Sequence, residues 1–427
     1  MANLTLSAVT GLVLAKWAVE LWLSHLNRRH VLAHSGAVPE AFKDTVDEQT
    51  YARSAQYTLA NGRLDEIETT FGATLLVLVL WGGILPWGYS LTTRLLGESV
   101  WAIAGFLFIT GMVLTLPGLP FQWYHQFRLE QRFGFNTTTQ RVWWTDRLKG
   151  LLLALALGYP MLALVLKLVK WADGWWWLWV WGALLIFQLL MSVLAPVLIL
   201  PLFNRFTPLP EGSLRDRLLR LADRTRFRAG SIQVMDGSKR SRHSNAFFTG
   251  FGRFRKIVLF DTLLVQLAEP ELEAVLAHEI GHFKMKHIPK MLLMSALGSL
   301  AGFYGVSFLA SQNWFYRAFG FAPGTIAPAL LLFGLLAGVV TFWLSPLIHW
   351  WSRHYEYQSD SFAAEVINDP GPLVAALRKL NAKNLNNLTP HPAYSGFYFS
   401  HPTLLERERA LEGHCTRGNS PDISRSP

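Results

Sequence analysis

Seven apolar runs, each near the length a helix needs to cross a bilayer, divide this chain of 427 residues. They lie at roughly 4–24, 70–93, 100–120, 150–170, 175–200, 291–311 and 327–350. A transmembrane helix takes about 20 apolar residues, and inside the hydrocarbon every backbone N–H and C=O must be paired within the chain's own structure. Runs of this length satisfy that demand as helices and are twice too long for barrel strands. The expected fold is mostly α, a polytopic membrane protein with about seven transmembrane helices. The first run lacks a basic start and a small-residue cleavage site, so it reads as a retained anchor and not a signal peptide. Lys16 within it either snorkels or faces a polar interior. The 18 Trp suit membrane interfaces, and Trp175-Trp176-Trp177 reads as part of such a belt.

The net charge of +10 does not call for nucleic acid, because the basic residues gather between apolar runs. Segment 25–69 carries Arg28, Arg29, Lys43, Arg53 and Arg63, and segment 121–149 carries Arg128, Arg132, Arg141, Arg147 and Lys149. The stretch 201–290 and the part after 350 are also basic, while the alternate loops hold only Arg94, nothing near Asp173, and Arg317. The positive-inside rule then puts the N-terminus outside and the C-terminus in the cytoplasm. One cysteine, Cys415, excludes an intramolecular disulfide and a Cys-rich zinc site.

Five regions follow. Residues 1–200 are a membrane domain with spans 1–5, and 201–290 are a cytoplasmic α+β insert. Spans 6 and 7 occupy 291–350, a C-terminal part of the insert's domain 351–412, and a disordered tail 413–427. Within the insert, Leu214 to Arg226 has helical spacing, and Ser231–Met235 and Lys256–Phe260 read as strands. Asn245–Thr249 reads as a third strand, with Gly250 and Gly252 at the following turn. Pro270-Glu271 opens another helix, whose Glu269, Glu271 and Glu273 suit its positive N-terminal end.

That helix carries His278-Glu279-Ile280-Gly281-His282. Residues i and i+4 share a helix face, so both imidazoles reach one metal ion, and Glu279 can reach a water on it. Three protein ligands plus water is the usual catalytic zinc arrangement. Such a site hydrolyses an amide by activating the water, with Glu279 accepting and passing on its proton. Gly281 costs the helix roughly 1 kcal/mol relative to Ala and leaves room for another backbone or a substrate. For the third ligand, His287 is turned away by its five-residue offset from His282. Glu356 is the better placed candidate, with Asp360 one turn on, suited to hydrogen-bond a ligating imidazole. Taken alone, Ser352–Asp360 reads equally well as a solvated charged helix. His401 reads as a loop histidine and Asn245 as a turn residue.

Together, several pieces resemble the M48 peptidase family in its Ste24 branch, the type I CAAX prenyl proteases. They are Ser244-Asn245-Ala246-Phe247-Phe248, His278–His282, Glu356-Tyr357-Gln358-Ser359-Asp360 and Phe399-Ser400-His401-Pro402. Pro201–Leu209 and Glu130–Asn136 fit as well, so the resemblance covers roughly residues 30–412. Ser359 departs from the pattern, which usually has Ala there. The resemblance implies seven transmembrane helices enclosing a water-filled chamber, and a zinc-dependent endopeptidase with one Zn2+ per chain. It implies His278, His282 and Glu356 as ligands, Glu279 as general base, and Asp360 and His401 in the catalytic machinery, His401 at the oxyanion. Asn245 and Ala246 would hold the substrate backbone, and Arg407 would sit close behind His401.

Two other classes compete with this expectation: a transporter or channel with an incidental or structural zinc site, and a non-cutting membrane chaperone. The spans hold too few charges for the first, and a binding module has no use for Glu279. The expected partners are the lipid bilayer and a peptide or protein substrate, membrane-associated, lipidated or misfolded, with no nucleic acid and the chain a monomer. Brief loops and no ER-retrieval ending point to a bacterial inner membrane, with the active site on its cytoplasmic side.

Overall fold

All seven apolar runs are helical in the computed structural model, which describes residues 2–227, 231–249 and 256–418. The turn expected at Gly250 and Gly252 lies outside the described residues, as does the chain beyond Gly418. Five helices are each long and apolar enough to cross a membrane: Asn3–His34, Val100–Phe133, Gln140–Phe203, His287–Ala310 and Ile326–Ile367. A sixth candidate is the pair Glu48–Trp81 and Ile84–Leu96, bent by 54° where Gly83 takes φ 66°. The Gln140–Phe203 stretch has 64 residues, about twice what one crossing needs. It holds two runs: Asp173 at φ 44° reverses the chain, and Tyr159–Ala172 packs back against Trp176–Leu194. The most apolar window of this stretch buries none of its residues, as expected for spans ringed round a chamber with lipid outside. Lys16 does not snorkel: its Nζ pairs with Glu20 Oε1 at 2.6 Å and lies 5.2 Å from the Phe342 ring centre.

Helix runs further below the membrane than the apolar pattern indicates. The third span continues through a π-helical turn, His125–Glu130, to Phe133, and the last runs unbroken to Ile367. Hydropathy marks only the part of a helix that lies in lipid, so the extension of the third span reads as a loop, whereas Ser352–Asp360 below the last span reads as a helix, as found. The final helix, Leu404–Gly418, likewise passes Gly413, where the folded part was expected to stop. Leu411 is buried, and Glu408 accepts from Arg378 Nε at 2.7 Å, which anchors that helix.

The insert has a four-stranded sheet: β1 (Phe206–Pro208), β2 (Ser231–Met235), β3 (Ala246–Thr249) and β4 (Lys256–Phe260), in the order β1-β2-β4-β3. β2 and β4 are parallel, and the outer two strands are antiparallel to their neighbours. β1 was not expected, being only three residues long and ending in a proline. β4 is the buried centre: Ile257, Val258 and Leu259 are each 1% exposed. Ile257 and Leu259 join Leu218 and Leu221 of the Ser213–Arg224 helix, Leu272 and Ile280 of the Glu269–Lys284 helix, and Leu373 of the Gly371–Lys383 helix. A separate core ties the spans together around Ile103, Val180 and Leu332. Among the described residues β3 pairs only with β4, and no strand covers its other edge.

Candidate active site and metal centre

The HExxH motif sits on a helix whose opposite face is anchored in the insert's core. Glu271 caps the Glu269–Lys284 helix by accepting from Ala268 N at 2.8 Å, and it pairs with Lys379. Leu272, Ala274, Leu276, Ala277 and Ile280 are buried, which fixes the rotation and turns His278 and Glu279 toward a cleft, with His282 one turn on from His278. Across the motif runs the helix Ser345–Ile367, which continues the last span. The two cross closely at Gly281, where an added Cβ would lie 3.0 Å from Ser359 Cα and 3.2 Å from a Phe362 ring carbon. The room left by Gly281 is thus used by another backbone. Ser359, fully buried at that crossing, is where the usual pattern has Ala.

This crossing brings Glu356 and Asp360 to the histidines. His278 Nε2 lies 3.2 Å from His282 Nε2 and 3.4 Å from Glu356 Oε2, and His282 Nε2 lies 3.2 Å from Glu356 Oε1. A tetrahedral zinc with bonds of about 2.0–2.1 Å requires ligand atoms about 3.3 Å apart. The two imidazole nitrogens and the Glu356 carboxylate, which meets His278 through Oε2 and His282 through Oε1, converge closely enough to hold such an ion. Glu356 Oε2 is buried and forms no hydrogen bond among the described residues, although His401 Nδ1 lies 2.8 Å away. No other group of three His, Cys, Asp or Glu with this convergence occurs among the described residues.

The remaining ring nitrogens are committed. Asp360 is acceptor-only, so His278 donates from Nδ1 to Asp360 Oδ1 at 2.8 Å and keeps Nε2 free for the metal. Arg407 in turn donates to Asp360 through Nε at 2.8 Å and Nη2 at 2.5 Å. His282 is fixed by a residue the sequence gave no reason to choose. Lys286 at φ 58° ends the motif helix, and His287 begins the next. That break swings the His287 ring back, with Nδ1 3.0 Å from His282 Nδ1 and Nε2 2.8 Å from Gln358 Oε1. His287 donates from Nε2 to the Gln358 carbonyl, accepts at Nδ1 from His282, and so leaves His282 Nε2 free. Tyr355 stacks on His287 at 4.0 Å, and His287 is 1% exposed. No sequence signal marks this role, because the five-residue offset argues against it unless the helix breaks.

Burial opposes a charge on His278, but its bonds to Asp360 and Glu356 outweigh that and hold its pKa at about 9. A cation must displace that proton. Burial lifts the Glu279 carboxyl above the ordinary carboxylate range, against the pull of His278 and His282. Glu279 lines the cleft, and the described residues give it no hydrogen bond or ion pair. A half-buried carboxylate beside a metal position, with no partner among the described residues, is suited to take and return a proton.

The cleft itself encloses about 560 Å³. Asn245 and Ala246 line one side, at the start of the open edge of β3, and His401 and Arg407 line the other. The sequence-derived site residues thus converge on one place. Arg407 is the most altered in character: its guanidinium is buried on Asp360, with Nη1 3.8 Å from Glu356 Oε2. His401 is largely solvent-exposed.

Known proteins share this arrangement along the whole chain. Residues 27–205 match a family described as CAAX prenyl protease N-terminal, five membrane helices, and residues 208–414 match peptidase family M48. CAAX prenyl protease 1 of Saccharomyces cerevisiae is 33% identical over 95% of this chain and 94% of its own length. The Dictyostelium discoideum homologue is 33% identical over 91% and 93%. The crystal structure of S. mikatae Ste24p superposes with a TM-score of 0.88 at 32% identity, covering 95% of this chain and 98% of that one. These similarities, with the metal-competent triad and Glu279 between the spans, establish that the chain belongs to peptidase family M48 and is a membrane-embedded zinc metalloendopeptidase.

Proposed function

We propose that this chain holds one zinc ion on His278, His282 and Glu356 and uses it to cut peptide chains that enter from the membrane surface. The observation that carries the reading is the triad of donor atoms 3.2–3.4 Å apart with Glu279 beside it. When bound, zinc supplies Lewis acidity to a water and to the scissile carbonyl. Glu279 takes the proton from the attacking water on a carboxylate oxygen and hands it to the leaving amine. His401 donates an imidazole N–H to the oxyanion, worth roughly 3 kcal/mol in the transition state by the scale of other oxyanion donors. The substrate backbone lies along the open edge of β3, held at Asn245 and Ala246, a mode that tolerates many side chains. Asp360 holds the His278 ring, and Arg407 locks Asp360.

The relatives named above carry the name CAAX prenyl protease, which supports a substrate that is membrane-associated or lipidated. The basic segments all fall on one side of the spans, which supports an active site on the cytoplasmic face. The proposed setting is a bacterial inner membrane, with the chain a monomer. Brief loops favour that source, whereas the relatives named above are eukaryotic. Purified enzyme in lipid is expected to bind about one zinc per chain. Chelation should abolish peptide cleavage, and zinc should restore it. Cleavage that survives complete zinc removal would contradict the reading.

A further inference from the structure

A buried polar cluster beside the cleft has no part in the chemistry above. Glu130, 5% exposed, lies in the last turns of the helix that descends from the third span. Its Oε1 accepts from the Tyr57 hydroxyl at 2.5 Å, and its Oε2 lies 3.1 Å from His243 Nε2. His125, held by Asn61, approaches the same carboxylate at 3.8 Å. The other His243 nitrogen, Nδ1, lies 3.3 Å from Asn384 Oδ1. Phe135 stacks on the imidazole at 4.1 Å with the rings 22° apart, and the His243 carbonyl accepts from Thr262 Oγ1 at 3.1 Å. The His243 ring is therefore held through both nitrogens and one face, and its backbone by a fourth contact.

Two features tie this cluster to the cleft. His243 stands two residues before Asn245, and Ser244, Asn245 and Asn384 all line the cleft. Phe260 N donates to Asn245 O at 3.1 Å, but beyond that pairing the start of β3 has its open edge toward the cleft. Ser244 Oγ is buried with no hydrogen-bond partner among the described residues. A buried carboxylate is costly unless it is fully bonded, and its bonds then allow one geometry only.

We propose that Glu130 and His243 form a positioning clamp that sets the open edge of β3, so that substrate binding depends on two residues that do not touch the substrate. The clamp joins the lower ends of the second and third spans, through Tyr57 and Glu130, to the segment that receives the peptide. It deepens the reading of β3 as the substrate edge and rests on it.

Steady-state kinetics on the full zinc-loaded enzyme test it, with a peptide long enough to lie along β3. His243→Phe keeps the stack on Phe135 and drops both polar contacts. It should raise KM about tenfold, with kcat within about twofold and zinc content unchanged. Glu130→Ala should do the same, while Glu130→Gln, which retains an acceptor for Tyr57 and a donor toward His243, should return KM to within about threefold of the parent. Adding Glu130→Ala to Asn245→Ala should give less than the product of the single effects. If Asn245→Ala raises KM and His243→Phe does not, the clamp is overturned and the substrate edge stands. If Asn245→Ala leaves KM unchanged, the substrate edge fails and the clamp with it. Loss of zinc or a collapse of kcat in both His243→Phe and Glu130→Gln would also overturn it, by assigning the cluster to the fold alone.

Discussion

A metal-binding imidazole is only as good as the bond its second nitrogen makes. His278 has Asp360 for this, and His282 has His287, itself fixed by Gln358. His287→Ala removes the acceptor that holds His282 in the correct tautomer. Zinc affinity should fall about 10–100-fold, the usual scale for an outer partner of a metal ligand. Competition against a chromogenic chelator measures it, and unchanged affinity would show that His282 orients itself. The proposed ligand set, which the structure brings together, was legible in the sequence because two members form a helical i,i+4 pair and the third stands four residues before Asp360 on a helix face. Glu356 could be weighed as a ligand but not placed by spacing, since about 70 residues separate it from His282. His287 was not legible at all. Its role depends on the φ of Lys286, a backbone angle that residue type alone does not dictate.

Two helices cross at Gly281 and Ser359, and opposite substitutions there should have opposite effects. Gly281→Ala gains helix propensity but drives a Cβ to 3.0 Å from the Ser359 backbone. The helices must part, with a cost of about 1–3 kcal/mol and weaker zinc retention. Ser359→Ala removes a fully buried hydroxyl that has no partner among the described residues, and should stabilise by about 1 kcal/mol. Thermal unfolding of the two variants in lipid checks both signs. A Gly281→Ala enzyme as stable as the parent would mean that the crossing has slack. Helices and strands were well marked where one face is buried, as with β2, β4 and the motif helix. The reading failed where burial leaves no periodic mark: in three-residue β1, and in the polar extension of the third span. Below the seventh span the helix at Ser352–Asp360 was legible, but not that it continues the span through a 3-10 turn at Phe342–Leu344 and so carries Glu356 directly to the metal position.

At the scale of the molecule, hydropathy marked runs that are all helical in the structure, and charge asymmetry gave an orientation that cysteine labelling can check. With Cys415 removed, a cysteine at Asp173 should react with an impermeant reagent in intact cells, and one at Ser238 should be shielded. The reverse pattern would invert the topology. Neither hydropathy nor charge could foresee how the spans and the insert interlock. That depends on contacts such as Tyr57 with Glu130 and Arg240 with Asp146, which join residues 73 and 94 positions apart. The whole assembly serves one arrangement: the proposed zinc position with a half-buried Glu279 beside it, unpaired among the described residues. Glu279→Gln preserves shape and leaves the three ligands intact, but the amide cannot accept the proton. The most direct measurement is peptide cleavage by Glu279→Gln enzyme with its zinc content assayed in the same sample. Zinc at about one per chain with cleavage lowered about 100-fold or more is the expected result. Turnover like the parent's in the zinc-loaded variant would contradict the mechanism.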